Sequence, residues 1–142
     1  MGAAGGYGVR VTNCPGGSVQ NSLVDGAGEV VQNSGGISIV NSARSRVQHN
    51  EIRHVRHVRG VSFQNWRDQG AQTDVSYNHI HHCGCESDEC LSDGGAIYGA
   101  STSPSTTPVF LHHNLVHHIA ARNFGGSGIY LDTSTNAAQV LN

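Results

Sequence analysis

Apolar and polar positions along this chain repeat with a period of about 28 residues. Four six-residue segments align without gaps, each with an apolar residue at its first and sixth positions, and their starts lie 28, 28 and 36 residues apart. A fifth copy begins at Val140. A fixed period of this length indicates a repeat architecture in which each copy forms one turn of a solenoid. The four complete copies are Val19–Val24, Val47–Ile52, Val75–Ile80 and Leu111–Val116.

A second series of short apolar stretches lies between these segments, each entered through glycine. Their β-branched and aromatic residues, bounded by turn formers, predict strands. Glycine recurs too often, with 19 in 142 residues, for a helix of about 12 residues to propagate. We therefore predict two short strands per copy, stacked in parallel at about 4.8 Å per coil. The stretches are Gly8–Val11, Gly36–Val40, Gly60–Phe63, Gly95–Tyr98 and Gly128–Leu131.

Two polar columns run through the aligned copies. The fourth position holds Asn in three copies, and we expect it to lie in a turn where the side-chain amides bond up and down the stack. The eighth position holds His in three copies, beside a shorter column in which His81 and His117 continue from Arg53. Any repeat duplicates residues in this way, but a row of His in one groove can also serve a substrate as general base or hold a metal ion. The column residues are Asn50, Asn78 and Asn114, and His54, His82 and His118.

The alternation of Asn-x-Ile-x-His segments with Gly-Ile-Tyr strands resembles the right-handed parallel β-helix family, the pectin-lyase-like repeat fold, over nearly the whole chain. The resemblance implies an all-β solenoid of about five coils in one domain over residues 1–142. We expect it to be a piece of a longer helix, because an uncapped β-helix exposes its core at both ends. Family analogy also implies an extracellular or secretory-pathway location, although residues 1–8 lack the features of a signal peptide. The fold hosts lyases, glycosidases, epimerases, phage tailspikes and adhesins, so it leaves the activity open.

One coil departs from the repeat. Its interval of 36 residues adds two loop insertions of about four residues each, near residues 83–93 and 101–108. Function in a solenoid usually sits on such insertions. We therefore expect the functional site beside this coil.

Two carboxylates, Asp93 and Asp132, lie beside the strands of adjacent coils. The motif Asp-Gly-Gly-Ala-Ile-Tyr that begins at Asp93 and the motif Gly-Ile-Tyr-Leu-Asp that ends at Asp132 resemble those of β-helical glycoside hydrolases of the fucosidase and xylanase type. On that resemblance both are catalytic acids, which sugar hydrolysis needs about 5 to 9.5 Å apart. An extended path would separate them by roughly 20 Å, so they meet only if the chain turns back at the glycines after Asp93. Otherwise Asp93 is a turn residue and Asp132 closes a strand.

Two tyrosines and two histidines are the candidate substrate-binding residues. Tyr98 and Tyr130 hold the same register beside inward-facing isoleucines, so alternation sends both rings to the outer face. A stacked pair there is either a platform for the apolar faces of sugar rings or ordinary cross-strand packing. His82 and His118 would supply polar contacts from the neighbouring column.

The first insertion combines cysteines with acidic residues, and three interpretations are open. A disulfide would join Cys90 to Cys83 or Cys85 in an oxidising compartment. A zinc site would prefer paired Cys-x2-Cys spacing, which this loop lacks. We expect no cofactor and no metal at the catalytic site, but the loop could also take calcium, because hard cations need several oxygens. Those oxygens would come from Glu86, Asp88, Glu89 and Asp93.

Charge narrows the range of partners. All eight basic residues are Arg and the formal net charge is −2, which argues against the dense basic field that nucleic-acid binding needs. No stretch approaches the ~18 apolar residues of a membrane span. The expected partner is a polysaccharide or oligosaccharide, and the oligomeric state stays open. The candidate functions are a glycoside hydrolase, a non-catalytic glycan-binding or surface-binding solenoid, and a polysaccharide lyase or uronate epimerase.

Overall fold

The computed structural model describes residues 5–31, 34–57, 59–65, 72–85, 94–101, 108–121, 126–132 and 138–141. No helix in these ranges is long and apolar enough to cross a membrane. The strands are β1 (Val9–Thr12), β2 (Ser18–Gln20), β3 (Leu23–Asp25), β4 (Ile37–Val40), β5 (Arg46–Gln48), β6 (Glu51–Arg53), β7 (Val61–Asn65), β8 (Asp74–Ser76), β9 (His79–Cys85), β10 (Gly95–Ser101), β11 (Val109–His112), β12 (Leu115–Ala121), β13 (Ser127–Leu131) and β14 (Ala138–Leu141).

The strands form three parallel sheets, and successive coils add one strand to each sheet. The first sheet has the order β1-β4-β7-β10-β13, the second β14-β11-β8-β5-β2, and the third β12-β9-β6-β3. Every strand pairs with its counterpart in the neighbouring coil, as when Val47 lies opposite Val19 and Val75. The all-β solenoid of about five coils, predicted from the repeat, is confirmed.

The first four coils have three strands each, so the prediction of two was wrong. The six-residue segments expected to be single strands are each divided by a residue in the left-handed conformation, with φ of 50° at Asn21, 55° at His49, 56° at Tyr77 and 52° at His113. A positive φ reverses the local curvature of an extended chain. The chain therefore turns a corner there, from the second sheet into the third.

The predicted inward columns form the core. Val47, Val75 and Leu111 fill it from the second sheet, and Ile52 and Ile80 from the third, each at most 1% exposed. The first sheet contributes isoleucine and valine at the equivalent register. In the last coil the exposed fraction rises to 37% at Ile129 and 53% at Val140, because no described coil covers them.

The asparagine column lies at the corner, as predicted. Asn50 Nδ2 donates to Asn78 Oδ1 and Asn78 Nδ2 donates to Asn114 Oδ1, both at 3.0 Å. Each amide also donates to a backbone carbonyl one coil away, for example Asn78 to Val47 O at 2.8 Å. The ladder satisfies backbone groups that the corner removes from the sheets.

The coil with the insertions keeps its register. Ile97 of β10 lies opposite Val61 of β7 and Ile129 of β13. Residues 86–93 and 102–107, which carry most of both insertions, lie outside the described residues. The extra residues are thus accommodated without a shift of the strands on either side.

Candidate functional site

The outer face of the third sheet carries a cluster of five histidines. We call His79, His81, His82, His117 and His118 the histidine cluster. Alternation along β9 turns His79 and His81 outward while Ile80 enters the core. His117 of β12 lies opposite His81, which in turn lies opposite Arg53 of β6, so the shorter predicted column is confirmed.

The longer histidine column is also confirmed. His54, His82 and His118 have φ of 51° to 52°. Ring centroids lie 5.8 Å apart for the first pair and 4.6 Å for the second, where the rings are nearly parallel. The left-handed residue acts as a bulge within β9 and β12, so two consecutive side chains stay outside before Cys83 returns to the core.

Short contacts between ring nitrogens hold the histidine cluster together. His79 Nε2 lies 2.8 Å from His117 Nε2, and the Nδ1 atoms of His117 and His118 lie 2.6 Å apart. Each contact needs one N–H and one lone pair, so at least one ring of each pair is neutral. Burial, followed by the neighbouring imidazoles, lowers the pKa of both His82 and His117, which favours the neutral form.

Ionised groups border the histidine cluster on the side of the earlier coils. Arg53 donates to Asp25 Oδ2 through Nε and Nη2 and to Glu51 Oε1 through Nη1, each at 3.0 Å. His54 Nδ1 lies 2.7 Å from Asp25 Oδ1. A hydrogen bond from His54, and then one from Arg53, lowers the pKa of Asp25, and a hydrogen bond from His81 lowers that of Glu51. Both carboxylates therefore favour the charged form.

An open pocket of about 410 Å³ adjoins the histidine cluster, and its volume falls within the range of ligand sites. It is lined by His82, Cys83, Gly84, His118, Ile119 and Ala120.

Cys83 is a free thiol, 1% exposed, whose Sγ donates to the carbonyl oxygen of His81. Burial raises its pKa to about 11. The predicted alternative in which Cys83 pairs with Cys90 is therefore wrong, because this thiol is unpaired and packs in the core.

A second cluster lies on the outer face of the first sheet. Tyr98 and Tyr130 share a register, as predicted, with centroids 5.7 Å apart in an edge-to-face arrangement. Tyr98 is only 5% exposed, and the guanidinium of Arg59 lies 4.0 Å from the centroid of its ring. Tyr130 is partly exposed, so it offers more ring surface to a ligand than Tyr98 does.

Asp132 is the predicted catalytic residue that the structure describes. Its Oδ2 accepts a hydrogen bond from the Tyr98 hydroxyl at 2.8 Å, and its backbone N–H donates to Gly99 O. The predicted partner Asp93 lies outside the described residues, as do Glu86, Asp88, Glu89 and Cys90 and the side chain of Cys85. The structure thus joins Asp132 to Tyr98, and the spacing of the two carboxylates stays a prediction.

Sequence reasoning missed two features of this surface. His79 belongs to no column of like residues, since Leu23, Glu51 and Leu115 hold its position in other coils. Tyr77 stacks between His49 and His113, at 5.0 and 4.7 Å. The signal for this ring column was the residue before each Asn, where an aromatic or imidazole ring recurs.

Comparison with known proteins gives one match. A family model described as a right-handed β-helix region matches residues 2–142. The searches of curated proteins and of solved structures found no match.

Proposed function

Because this chain belongs to the right-handed β-helix family, and because its first sheet holds a tyrosine-bound carboxylate, we propose that it is a carbohydrate-active protein that hydrolyses a polysaccharide with Asp132. The observation that carries the proposal is the 2.8 Å hydrogen bond from the Tyr98 hydroxyl to Asp132 Oδ2. This contact fixes the orientation of the carboxylate on the outer face of the solenoid.

Each residue of this second cluster has a role in the proposed reaction. At the anomeric carbon, one carboxylate attacks as nucleophile or, as general base, deprotonates the attacking water, while a second carboxyl group protonates the leaving oxygen. Tyr130 offers an apolar ring surface to a sugar next to that carboxylate. Arg59 packs on Tyr98 and keeps it in place. Asp93 is the proposed second carboxyl group, and the protein would act in the extracellular space or secretory pathway.

The test is the release of reducing ends from a panel of neutral and acidic polysaccharides by the full chain. We expect Asp132→Asn to lower turnover at least about 100-fold and Tyr98→Phe to lower it less, since the carboxylate remains. Ser38→Ala, on the same sheet in an earlier coil, is the matched control. Unchanged turnover by folded Asp132→Asn would exclude this role, and a product that absorbs in the near ultraviolet would indicate a lyase instead.

The pocket beside the histidine cluster favours a second candidate, a glycan-binding solenoid without turnover. Its imidazole edges at His82 and His118 supply hydrogen bonds, while Ile119 and Ala120 supply apolar surface. In this case retention on an immobilised glycan falls for His118→Ala and is unchanged for Asp132→Asn. The reverse ranking of the two variants would rule it out.

A further inference from the structure

We propose that His79, His81 and His117 form a binding site for a divalent transition-metal ion of the zinc type. One ring nitrogen from each of the three side chains lies within 4.8 Å of the others. The three histidines lie on the third sheet, whereas Asp132 follows a strand of the first, so metal binding does not depend on the proposed hydrolysis.

The distances fit one small ion after a minor adjustment. Zinc binds imidazole nitrogens at about 2.0 to 2.1 Å, so two nitrogens on a tetrahedral ion lie about 3.3 Å apart. His79 Nε2 and His117 Nε2 are 2.8 Å apart and would separate by about half an ångström. The His81 ring, with its centroid 4.2 Å from that of His79, would move towards the other two rings and supply the third nitrogen. Rotation about the side-chain bonds provides both movements.

The backbone fixes the positions from which these rings extend. His79 and His81 are two residues apart on one face of β9, and His117 lies directly opposite His81 on β12. Sites built on paired strands hold their geometry better than sites on loops. The ligand positions are therefore set by the sheet.

The second nitrogen of two of the rings is already held by a neighbour. His117 Nδ1 lies 2.6 Å from His118 Nδ1, and His81 Nδ1 lies 2.7 Å from His82 Nδ1. Metal-binding histidines nearly always have such a partner on the nitrogen that faces away from the ion, because it fixes the tautomer and the ring plane. The histidine columns would thus orient the ligands.

The chemistry of the donors selects the ion. Three imidazoles suit zinc, copper, nickel and cobalt, whereas calcium and magnesium need oxygen. Glu51 adds negative charge, since its Oε1 lies 3.3 Å from His81 Nε2, the nitrogen that would lose its proton and bind the ion. Three protein nitrogens leave a fourth position for a water molecule. This site is separate from the calcium site predicted for the acidic insertion.

Calorimetric titration of chelator-treated full chain with ZnCl₂ tests the proposal. We expect one ion per chain, with affinity reduced at least about 10-fold in His79→Gln and in His117→Gln. His113→Gln, in the Tyr77 ring column, is the matched control and should bind like the wild type. A wild-type stoichiometry other than one ion per chain, or equal affinities in the wild type and the three variants, would contradict the proposed site.

Titration with cobalt separates this site from the cysteines, because the spectrum reports the ligand type directly. We expect visible absorption without the near-ultraviolet charge-transfer band of a cobalt–thiolate bond. A cobalt–thiolate band in the wild-type spectrum would assign the ion to the cysteines and contradict the proposal. The same band in His79→Gln would confirm that assignment. Far-ultraviolet circular dichroism of each variant confirms that the histidine substitutions leave the solenoid folded.

Discussion

Asn78 Nδ2 donates to Asn114 Oδ1 at 3.0 Å, although 36 residues separate them and only 28 separate Asn78 from Asn50. The ladder thus passes through the coil with the insertions at unchanged geometry. The corner between the second and third sheets therefore keeps its stacking in the coil that carries the insertions.

The central member of this ladder should contribute most to stability. Asn78→Ala leaves the Val47 carbonyl and the Asn50 N–H without their side-chain partner, and an unsatisfied buried group costs about 1–3 kcal/mol. We expect urea denaturation to give a free energy of unfolding lower by about 3 kcal/mol. Asn114→Ala, at a less buried step, should lose less. Equal losses for the two variants would show that burial does not set the contribution.

Gly84 should not tolerate a side chain. Its φ is +131°, and a Cβ there would collide with the carbonyl oxygen of Ala120 on the neighbouring strand. We expect Gly84→Ala to destabilise the protein by more than about 3 kcal/mol, visible as a lower melting temperature. Gly128→Ala is the control, because its nearest neighbour would be Val116 Cγ1 at 3.8 Å. A Gly84→Ala protein with the same melting temperature as the control would contradict the pairing described for β9 and β12.

Stability should fall in mild acid because of His57. This ring is 4% exposed, neither of its nitrogens has a hydrogen-bond partner among the described residues, and burial, with a smaller effect from Arg59, lowers its pKa to about 4. The folded-state pKa lies below the unfolded value of about 6.5. Stability from the neutral ring is therefore complete above pH 6.5 and is lost as the pH falls towards 4.

The loss from His57 amounts to about 3 kcal/mol, at 1.36 kcal/mol per pKa unit. Urea unfolding at several pH values between 7 and 4 measures it. His57→Leu should flatten that pH dependence, while the exposed His113→Gln should keep it. A His57→Leu protein with the wild-type slope would assign the acid sensitivity to other groups.

The two described free thiols should differ in reactivity. Cys14 is exposed, whereas Cys83 is buried and its pKa is raised to about 11. Iodoacetamide at pH 8 should label Cys14 in the native protein and spare Cys83, with both labelled in urea, as peptide mass spectrometry will show. Native labelling of Cys83 at the rate of Cys14, or its recovery in a disulfide with Cys90, would contradict its place in the core.

The repeat made much of this architecture predictable. Columns such as Val47 and Val75, or His82 and His118, follow from period alone, because aligned copies place like residues over one another. The corner was less predictable, because His49 is of a residue type enriched at positive φ whereas Tyr77, at the same position of the next coil, is not, so the column gives no uniform signal. For this reason the sequence predicts two strands per coil, whereas the first four coils have three.

The repeat could not predict contacts that occur in only one coil. Arg59 covers Tyr98 from the preceding coil, a contact that no other coil repeats in the part of the chain that the structure describes. His79 joins His81 and His117 because one coil replaces Leu or Glu with His at that register. Unique contacts of this kind depend on the reach of individual side chains, which spacing does not encode.

The hydrogen bonds of all three sheets run from coil to coil, along the axis of the solenoid. A tensile force applied along that axis would load the interfaces between coils in series, so the weakest would open first and the rest would peel away one coil at a time. A force applied along the strands would instead shear many bonds together. The stack is thus mechanically anisotropic, compliant to lengthwise pulling and resistant to traction across it.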